Sequence, residues 1–557
     1  MFLSLPRKFA AVAYSHHYGS IYSYKNDKRF VCLPNLVKHT KTGRAMTLTE
    51  NSIEWSIDFV ASQSDGDLFP KLLEMEVIAA RKADLIQLIA NKPLNAFQPG
   101  ACRRFLVPKD EISYRQATQL DPQDSIIFSA IIHQFGQSIE ARRLPSNQVF
   151  SYRFNPSSTD GLYGHTGSWN NFWNEAFQLS LSCSHILYCD IADFYNQVYH
   201  HTVENQLIAS SLPNQAIKWV IALLASTTAG VSRGVPIGPH PSHLLAEASL
   251  IPIDNSLQQS GFKFIRYADD IIFFCNSDNE ARMALSSTAN ILDKQQRLML
   301  QRHKTRFYQP ANFQELCKEM IEDRPISKAE ADVLAIVKKY SGGNPYKSIT
   351  YNQITPQDWQ QFSDQTVKGI VEAYLSSTDV DYIRLRWFYR RLAQIGHPGA
   401  IDVSLQNIER LGPCFANICF YLTSIQSIDD ATWKSIGERL LQLLLKPEVQ
   451  QNEYFRLSIL SLFGRNPFIN HFSSLSRLYQ SADPFMRREI LLSAKANSAH
   501  DWIREHKESF VLMDPWQKIA YIYCVSGLPP DEKKYFLNSF RFDRPFENIL
   551  AKWSKDV

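Results

Sequence analysis

The sequence predicts an α+β chain, a mixed strand-and-helix region followed by one that is almost wholly helical. Three observations predict it. Two apolar runs, Phe264-Ile265-Arg266-Tyr267 and Ile271-Ile272-Phe273-Phe274, flank Ala268-Asp269-Asp270 and read as two strands joined by a tight connection. A third run, Ile186-Leu187-Tyr188-Cys189, likewise delivers an aspartate, Asp190, at its end. From about residue 326 the apolar spacing turns helical, and several segments open on an Asp, Ser or Thr cap.

In chain order, residues 1–95 form an N-terminal extension that is partly helical. Leu72, Leu73, Met75, Val77, Ile78, Leu85, Leu88 and Ile89 give Leu68–Asn91 the spacing of one or two helices. Residues 96–310 mix short strand-like runs with helices and loops. Within them, Arg233-Gly234-Val235-Pro236-Ile237-Gly238-Pro239 sets a rigid turn, and the apolar run after Ser242 opens a helix. A boundary falls near Asp323-Arg324-Pro325. Residues 326–557 then read as a helical, repeat-like domain without a strict period. Helices are expected over Ser327–Tyr340, Pro356–Leu375, Asp381–Ile395, Trp433–Leu445, Glu453–Phe463, Pro484–Ala496 and Pro515–Val525. Proline follows the cap at Thr355-Pro356, Asp483-Pro484 and Asp514-Pro515, and Ser341-Gly342-Gly343-Asn344-Pro345 is a break.

Composition bounds the function classes. A chain of 557 residues, 45% hydrophobic and 12% aromatic, is an ordinary globular protein with ample core, not a disordered or fibrous one. A net charge of +4 permits nucleic-acid binding without demanding it. The nine cysteines are odd in number and include no C-x-x-C pair, so free thiols are expected. The histidines offer no H-E-x-x-H, and no zinc is assigned. No apolar run is long enough to span a bilayer, and the start lacks a convincing cleavage site, so the expectation is a cytoplasmic protein without a membrane partner.

The carboxylates carry the chemistry. Asp269 and Asp270 at a hairpin tip hold negative charge at the mouth of a buried sheet, and unpaired buried carboxylates call for a cation. Hard oxygen ligands select Mg²⁺, or Mn²⁺ in its place. Nucleotidyl transfer with two ions, roughly 3.5–4 Å apart, needs carboxylates converging from separate strands. Asp190 and the Asp269-Asp270 pair supply them if their strands are neighbours, with the Ile191 backbone carbonyl as a further metal ligand. Asp193, close to Asp190, is expected to cap the following helix or form an ion pair, or else to tune the site.

Tyr267-Ala268-Asp269-Asp270 resembles the Tyr-x-Asp-Asp box of reverse transcriptases, and Asp190-Ile191-Ala192-Asp193-Phe194-Tyr195 resembles their motif A. Arg233–Glu247 matches motif B in order and shape, but carries Pro236-Ile237-Gly238 where most members carry Pro-Gln-Gly. That form is similar to the abortive-infection (AbiK-like), phage-defence branch of the family. Phe105-Leu106-Val107-Pro108-Lys109-Asp110 and Tyr114-Arg115 look like the two fingers motifs, and Leu298–Thr305 looks like motif D.

The resemblance implies a right-hand polymerase of fingers and palm, with an antiparallel palm sheet, followed by an all-α helical-repeat (HEAT-like) domain that takes the place of a thumb. It implies Asp190, Asp269 and Asp270 as catalytic metal ligands and Lys304 as a general acid near the leaving pyrophosphate. Lys109 and Arg115 would hold the triphosphate, Pro236 and Gly238 would shape the nucleotide site, and Tyr195 would obstruct a ribose 2′-hydroxyl. Ile237 cannot hydrogen-bond where the usual glutamine does, which fits relaxed template use. Arg384, Arg386, Trp387, Arg390 and Arg391 offer phosphate or base contacts, or simply a solvated helix face.

The expected function is an antiviral DNA polymerase that condenses dNTPs without a conventional template, its single-stranded product primed from a tyrosine hydroxyl. The alternatives are a reverse transcriptase copying a companion noncoding RNA, and an inert nucleic-acid-binding fold. Homo-oligomers are implied by the resemblance, although no coiled-coil heptads support them.

Overall fold

The computed structural model describes residues 46–63, 68–157, 161–164, 167–321, 325–342, 349, 353–361, 363–425 and 427–557. Residues 1–45 of the expected N-terminal extension lie outside them, as do Asp323 and Arg324 of the expected boundary and Gly343-Asn344-Pro345 of the expected break.

Eight strands form three antiparallel sheets among the described residues. β1 (Arg103–Pro108) and β2 (Tyr114–Gln119) make one hairpin, and β3 (Phe154–Ser157) pairs with β4 (Gly161–Tyr163). The third sheet holds β5 (His185–Asp190), β6 (Phe264–Tyr267), β7 (Asp270–Cys275) and β8 (Arg306–Tyr308), in the order β6-β7-β5-β8. The middles of its central strands β5 and β7 are apolar on both sides because helices cover both faces there. Ile186, Ile265, Ile272 and Phe274 pack with Phe172 and Trp173 of the helix Ser168–Ser180 and with Phe313 of the helix Pro310–Ile321. Leu187, Cys189, Phe264, Ile271 and Phe273 face the main core, which includes Leu250 and Ile253 of the helix Pro241–Gln259 and Ala284 of the helix Asp278–Gln296.

Near the N-terminus, the helix Glu50–Gln63 packs on Pro122–Glu140, and the expected helical stretch 68–91 forms two helices, Met75–Ala80 and Lys82–Ala90. Beyond β8 the described residues hold helices only. Pro484–Ala496 and Pro515–Val525 match the expected bounds, and Tyr382–Ile395 starts behind its Asp381 cap. Pro356–Leu375 is corrected: it is two helices, Pro356–Gln360 and Asp364–Ser376, because the Ser363 hydroxyl accepts the Thr366 N–H and starts a new helix. Four helices, Glu453–Arg465, Pro484–Ala496, Pro515–Val525 and Pro545–Asp556, stack each on the next. A mixed region followed by a helical one is consistent with a polymerase core and a helical-repeat domain.

The helical part lies against the β1–β2 hairpin and the helices before it. Arg103 pairs with Glu489 at 3.5 Å and Glu74 with Arg488 at 2.5 Å, all four side chains buried. Arg544 holds Asp121 through two nitrogens, at 2.7 and 2.8 Å. Trp516 donates to the Ala101 carbonyl at 2.8 Å. Among the described residues no helix is long and apolar enough to cross a membrane, and every described cysteine is a free thiol.

Candidate active site

The register of the four-stranded sheet puts two carboxylates side by side. β5 and β7 pair so that Asp190 lies directly across from Asp270. β6 and β7 close through a two-residue turn, Ala268-Asp269, between the paired residues Tyr267 and Asp270. Asp269 therefore sits at the tip, and its carbonyl accepts the Ile191 N–H at 3.0 Å. The three expected carboxylates thus share one end of one sheet.

The segment resembling motif D closes over them. The Asp190 carbonyl accepts the Gln301 N–H at 2.7 Å, and Lys304 Nζ donates to Asp190 Oδ2 at 2.6 Å. Tyr188, two residues before Asp190 on β5, donates its hydroxyl to Asp270 Oδ1 at 2.7 Å. Burial, followed by Asp190, raises the Asp269 carboxyl above its usual range. Burial, followed by Asp269, pushes Asp270 up to about 7. The site thus concentrates more negative charge than its surroundings neutralise.

The turn is held from beneath. Ala268 has φ +51°, a conformation L side chains adopt rarely. Its N–H donates to Ser151 Oγ at 2.9 Å, and its carbonyl accepts from Arg266 at 2.8 Å. Arg266 is fully buried and grips Asp254 through two nitrogens, at 2.7 and 2.6 Å, and Glu247 at 2.9 Å. Arg143 reaches the same Glu247 at 2.7 Å, and Ser151 donates to it at 2.6 Å. Burial would raise the Glu247 carboxyl, but Arg266 and Arg143 outweigh that and hold it below the usual range. None of Ser151, Arg143, Asp254 or Tyr188 was anticipated as a site residue. The signal lay in Glu247 and Asp254, two acids seven residues apart in an otherwise apolar helical run.

The remaining expected residues are placed as follows. Tyr195 is half-buried on the short helix Phe194–Gln197, its hydroxyl hydrogen-bonded to His243 Nδ1 at 2.6 Å. The loop Gly234–Gly238, which includes Pro236, runs beside it, with the Val235 N–H donating to the Tyr195 carbonyl at 2.8 Å. The Ile237 carbonyl accepts the Thr118 N–H at 2.7 Å and ties this loop to β2. Gly238 is required there: its φ is +128°, and a Cβ would lie 2.6 Å from the Thr118 carbonyl oxygen.

Lys109 stands in the β1–β2 turn, close enough to Asp269 to offset part of that carboxyl's upward shift. Arg115, on β2, is desolvated beside Arg386, and its Nε is buried without a hydrogen-bond partner. Asp193 is exposed and accepts from the side chains of Asn196 at 2.7 Å and Gln197 at 3.0 Å, so it braces the start of its helix without capping a backbone N–H. Arg386 is no free phosphate ligand, because it holds the carbonyls of Lys109 and Pro413. Trp387 is exposed, with Arg390 and Arg391 within 5.6 and 5.8 Å of its ring.

The donor set has the hard-oxygen chemistry for Mg²⁺, and the raised carboxyls are what a divalent cation would relieve. Among the described residues, as they stand, no group of three or more His, Cys, Asp or Glu is gathered closely enough to hold a metal ion.

Asp190, Asp269 and Asp270 lie at one end of a buried antiparallel sheet, with Lys304 against Asp190. Residues 107–335 match the family model described as Reverse transcriptase (RNA-dependent DNA polymerase), and this part of the chain is a reverse-transcriptase-like nucleotidyltransferase domain. No curated protein matches it in sequence. Among solved structures, apo telomerase from Candida tropicalis is similar at 9% identity and a TM-score of 0.32, covering 69% of this chain and 74% of that one. Telomerase from Candida albicans, in complex with a TWJ fragment of telomeric RNA, is similar at 10% identity and a TM-score of 0.28, covering 64% and 65%. At those TM-scores neither likeness carries an argument.

Proposed function

We propose that the chain is a DNA polymerase that copies an RNA template, adding deoxynucleotides to a primer. The pairing of Asp190 with Asp270 across β5 and β7, with Asp269 at the adjoining tip, carries this reading. Asp190, Asp269, Asp270 and the Ile191 carbonyl would hold Mg²⁺, which supplies charge neutralisation at the reacting phosphate and a more acidic primer hydroxyl. The primer 3′-hydroxyl releases its proton to water as its oxygen bonds to the α-phosphorus, the bond from that phosphorus to the β-phosphate oxygen breaks, and pyrophosphate leaves. Lys304, whose ammonium lies against Asp190 Oδ2 in this structure, would give its proton to the leaving group. Lys109 and Arg115 hold the triphosphate.

Template copying is favoured by a cleft between the β1–β2 hairpin and the Gly234–Gly238 loop, lined by Arg104, Gln116, Thr118, Asn196 and Arg233. Two guanidiniums there suit a polynucleotide backbone. A second reading, untemplated synthesis in phage defence with a tyrosine primer, rests on Ile237, whose side chain offers no polar group beside that cleft.

Purified full-length protein is given an RNA template with a DNA primer, Mg²⁺ and labelled dNTPs, beside an Asp269→Asn/Asp270→Asn variant. Parallel reactions omit the primer-template or follow RNase treatment. Sequence-defined extension by the wild type alone is the expected result. DNA made without primer-template and after RNase would replace it with the untemplated reading. No DNA in any reaction would overturn both.

A further inference from the structure

His243 lies in the first turn of the helix Pro241–Gln259, with a neighbour on each side. The Tyr195 hydroxyl is hydrogen-bonded to its Nδ1 at 2.6 Å. The Tyr152 ring stacks on the imidazole at a centroid distance of 4.0 Å with 3° between the planes. All three have defined footings. The Tyr163 hydroxyl donates to the His240 carbonyl at 2.7 Å and accepts the Leu244 N–H at 3.1 Å, which pins the helix start that carries His243. Tyr152 has φ +44°, and its carbonyl accepts from Arg143 at 2.8 Å. Ser151, its neighbour, is the residue that holds the Ala268 turn. A non-glycine residue in the left-handed region persists where the surroundings over-determine it.

Resting on the reading of Tyr195 as the obstacle to a 2′-hydroxyl, we propose that His243 is the positioning residue that sets this obstacle, and so fixes the preference for deoxynucleotides over ribonucleotides. A tyrosine ring on a four-residue helix is free to tilt about χ1 and χ2 unless something holds its far end. The hydrogen bond to His243 holds that end, and the Tyr152 stack keeps the imidazole from turning away. Burial keeps the Tyr195 phenol protonated, so the hydroxyl and the imidazole share a hydrogen between them. A tilted ring would clear space for a ribose hydroxyl while leaving the carboxylates untouched. His243 thus acts on the sugar through Tyr195, without touching the reacting atoms.

The test measures the ratio of kcat/KM for dCTP to kcat/KM for CTP on one primer-template, using full-length protein. His243→Phe keeps a ring for Tyr152 and loses the hydrogen bond. His243→Asn loses the ring but places a polar atom where Nδ1 stood. Tyr195→Phe removes the same bond from the other side. His243→Phe and Tyr195→Phe should each lower the ratio by roughly three- to tenfold, the scale of one ordinary hydrogen bond. Combined, they should lower it no further than Tyr195→Phe alone, which removes the His243 bond together with the hydroxyl's interaction with Tyr152. His243→Asn should restore most of the ratio.

Tyr195→Val separates this inference from the reading beneath it. If Tyr195→Val collapses the ratio while His243→Phe leaves it unchanged, or if the two single losses add, Tyr195 is the obstacle and His243 does not set it. If Tyr195→Val leaves the ratio unchanged, the obstacle reading fails and the inference with it. Should His243→Phe not fold, Tyr195→Phe against His243→Asn decides: a ratio unmoved by Tyr195→Phe overturns the inference.

Discussion

Asp270 shows what the site costs the fold. Its carboxyl is pushed up to about 7, first by burial and then by Asp269, so the folded chain keeps a proton that the unfolded chain loses near pH 4. The sign follows directly. Between roughly pH 4 and 7 the folded state binds more protons than the unfolded one, and stability falls as pH rises through that window. Asp270→Asn removes the charge and keeps an oxygen for the Tyr188 hydroxyl. It should abolish nucleotide addition and yet stabilise the metal-free protein at pH 8 by about 1–3 kcal/mol, with little effect at pH 4. Urea unfolding of both proteins at the two pH values checks this, and equal stability at pH 8 would refute the charge argument. The carboxylates themselves were legible, because an acid at the end of an apolar strand run has few structural uses. Tyr188 and His243 were not, because an aromatic residue in an apolar run reads as core, and only the register shows that Tyr188 bonds Asp270.

At the scale of elements, the β6–β7 hairpin is placed by charges buried under it. Its strands and two-residue turn follow from the apolar runs on either side of Ala268-Asp269. What fixes the turn comes from elsewhere in the chain: Ser151 from the segment before β3, and Glu247 and Asp254 from the helix Pro241–Gln259. Sequence reasoning finds the strands and misses this support because the partners lie 12 to 117 residues away along the chain. Arg266 is the hub. Arg266→Met would leave Asp254 without its cation and Glu247 with Arg143 alone, and a buried pair broken on one side typically loses about 3–5 kcal/mol. The Ala268 carbonyl would lose its donor as well, so activity should fall by more than the loss of folded protein explains. Denaturant unfolding gives the first quantity, and turnover per folded molecule gives the second. A stable variant with full turnover would show that the turn holds its shape unaided.

Across the whole molecule, the helical part and the β1–β2 region are joined by charges that neither could bury alone. Arg103 and Glu74 belong to the early part of the chain, Glu489 and Arg488 to the helices, and all four are nearly excluded from solvent. Arg488 also pairs with its neighbour Glu489, and the Arg103 guanidinium lies 4.4 Å from the Trp516 ring centroid. The Tyr523 hydroxyl donates to Glu76 at 2.5 Å, Tyr382 donates to Glu111 at 2.8 Å, and Arg544 clasps Asp121. The helices were legible from their caps, but their docking was not, because charged residues in amphipathic helices read as solvated until a partner surface appears. If the two parts separated, Glu74 and Arg103 would lose partners while still packed against their own side. Separation therefore costs nearly as much as unfolding, and the described residues should unfold in one cooperative transition. Arg488→Met removes the central cation and leaves Glu74 and Glu489 facing each other. It should lower the unfolding free energy by about 3–5 kcal/mol and shift the single transition as a whole. Differential scanning calorimetry on the intact chain distinguishes the outcomes. Two resolved peaks, with Arg488→Met moving only the one assigned to the helices, would mean that the helical part folds independently and that its grip on β1 and β2 is only a surface contact.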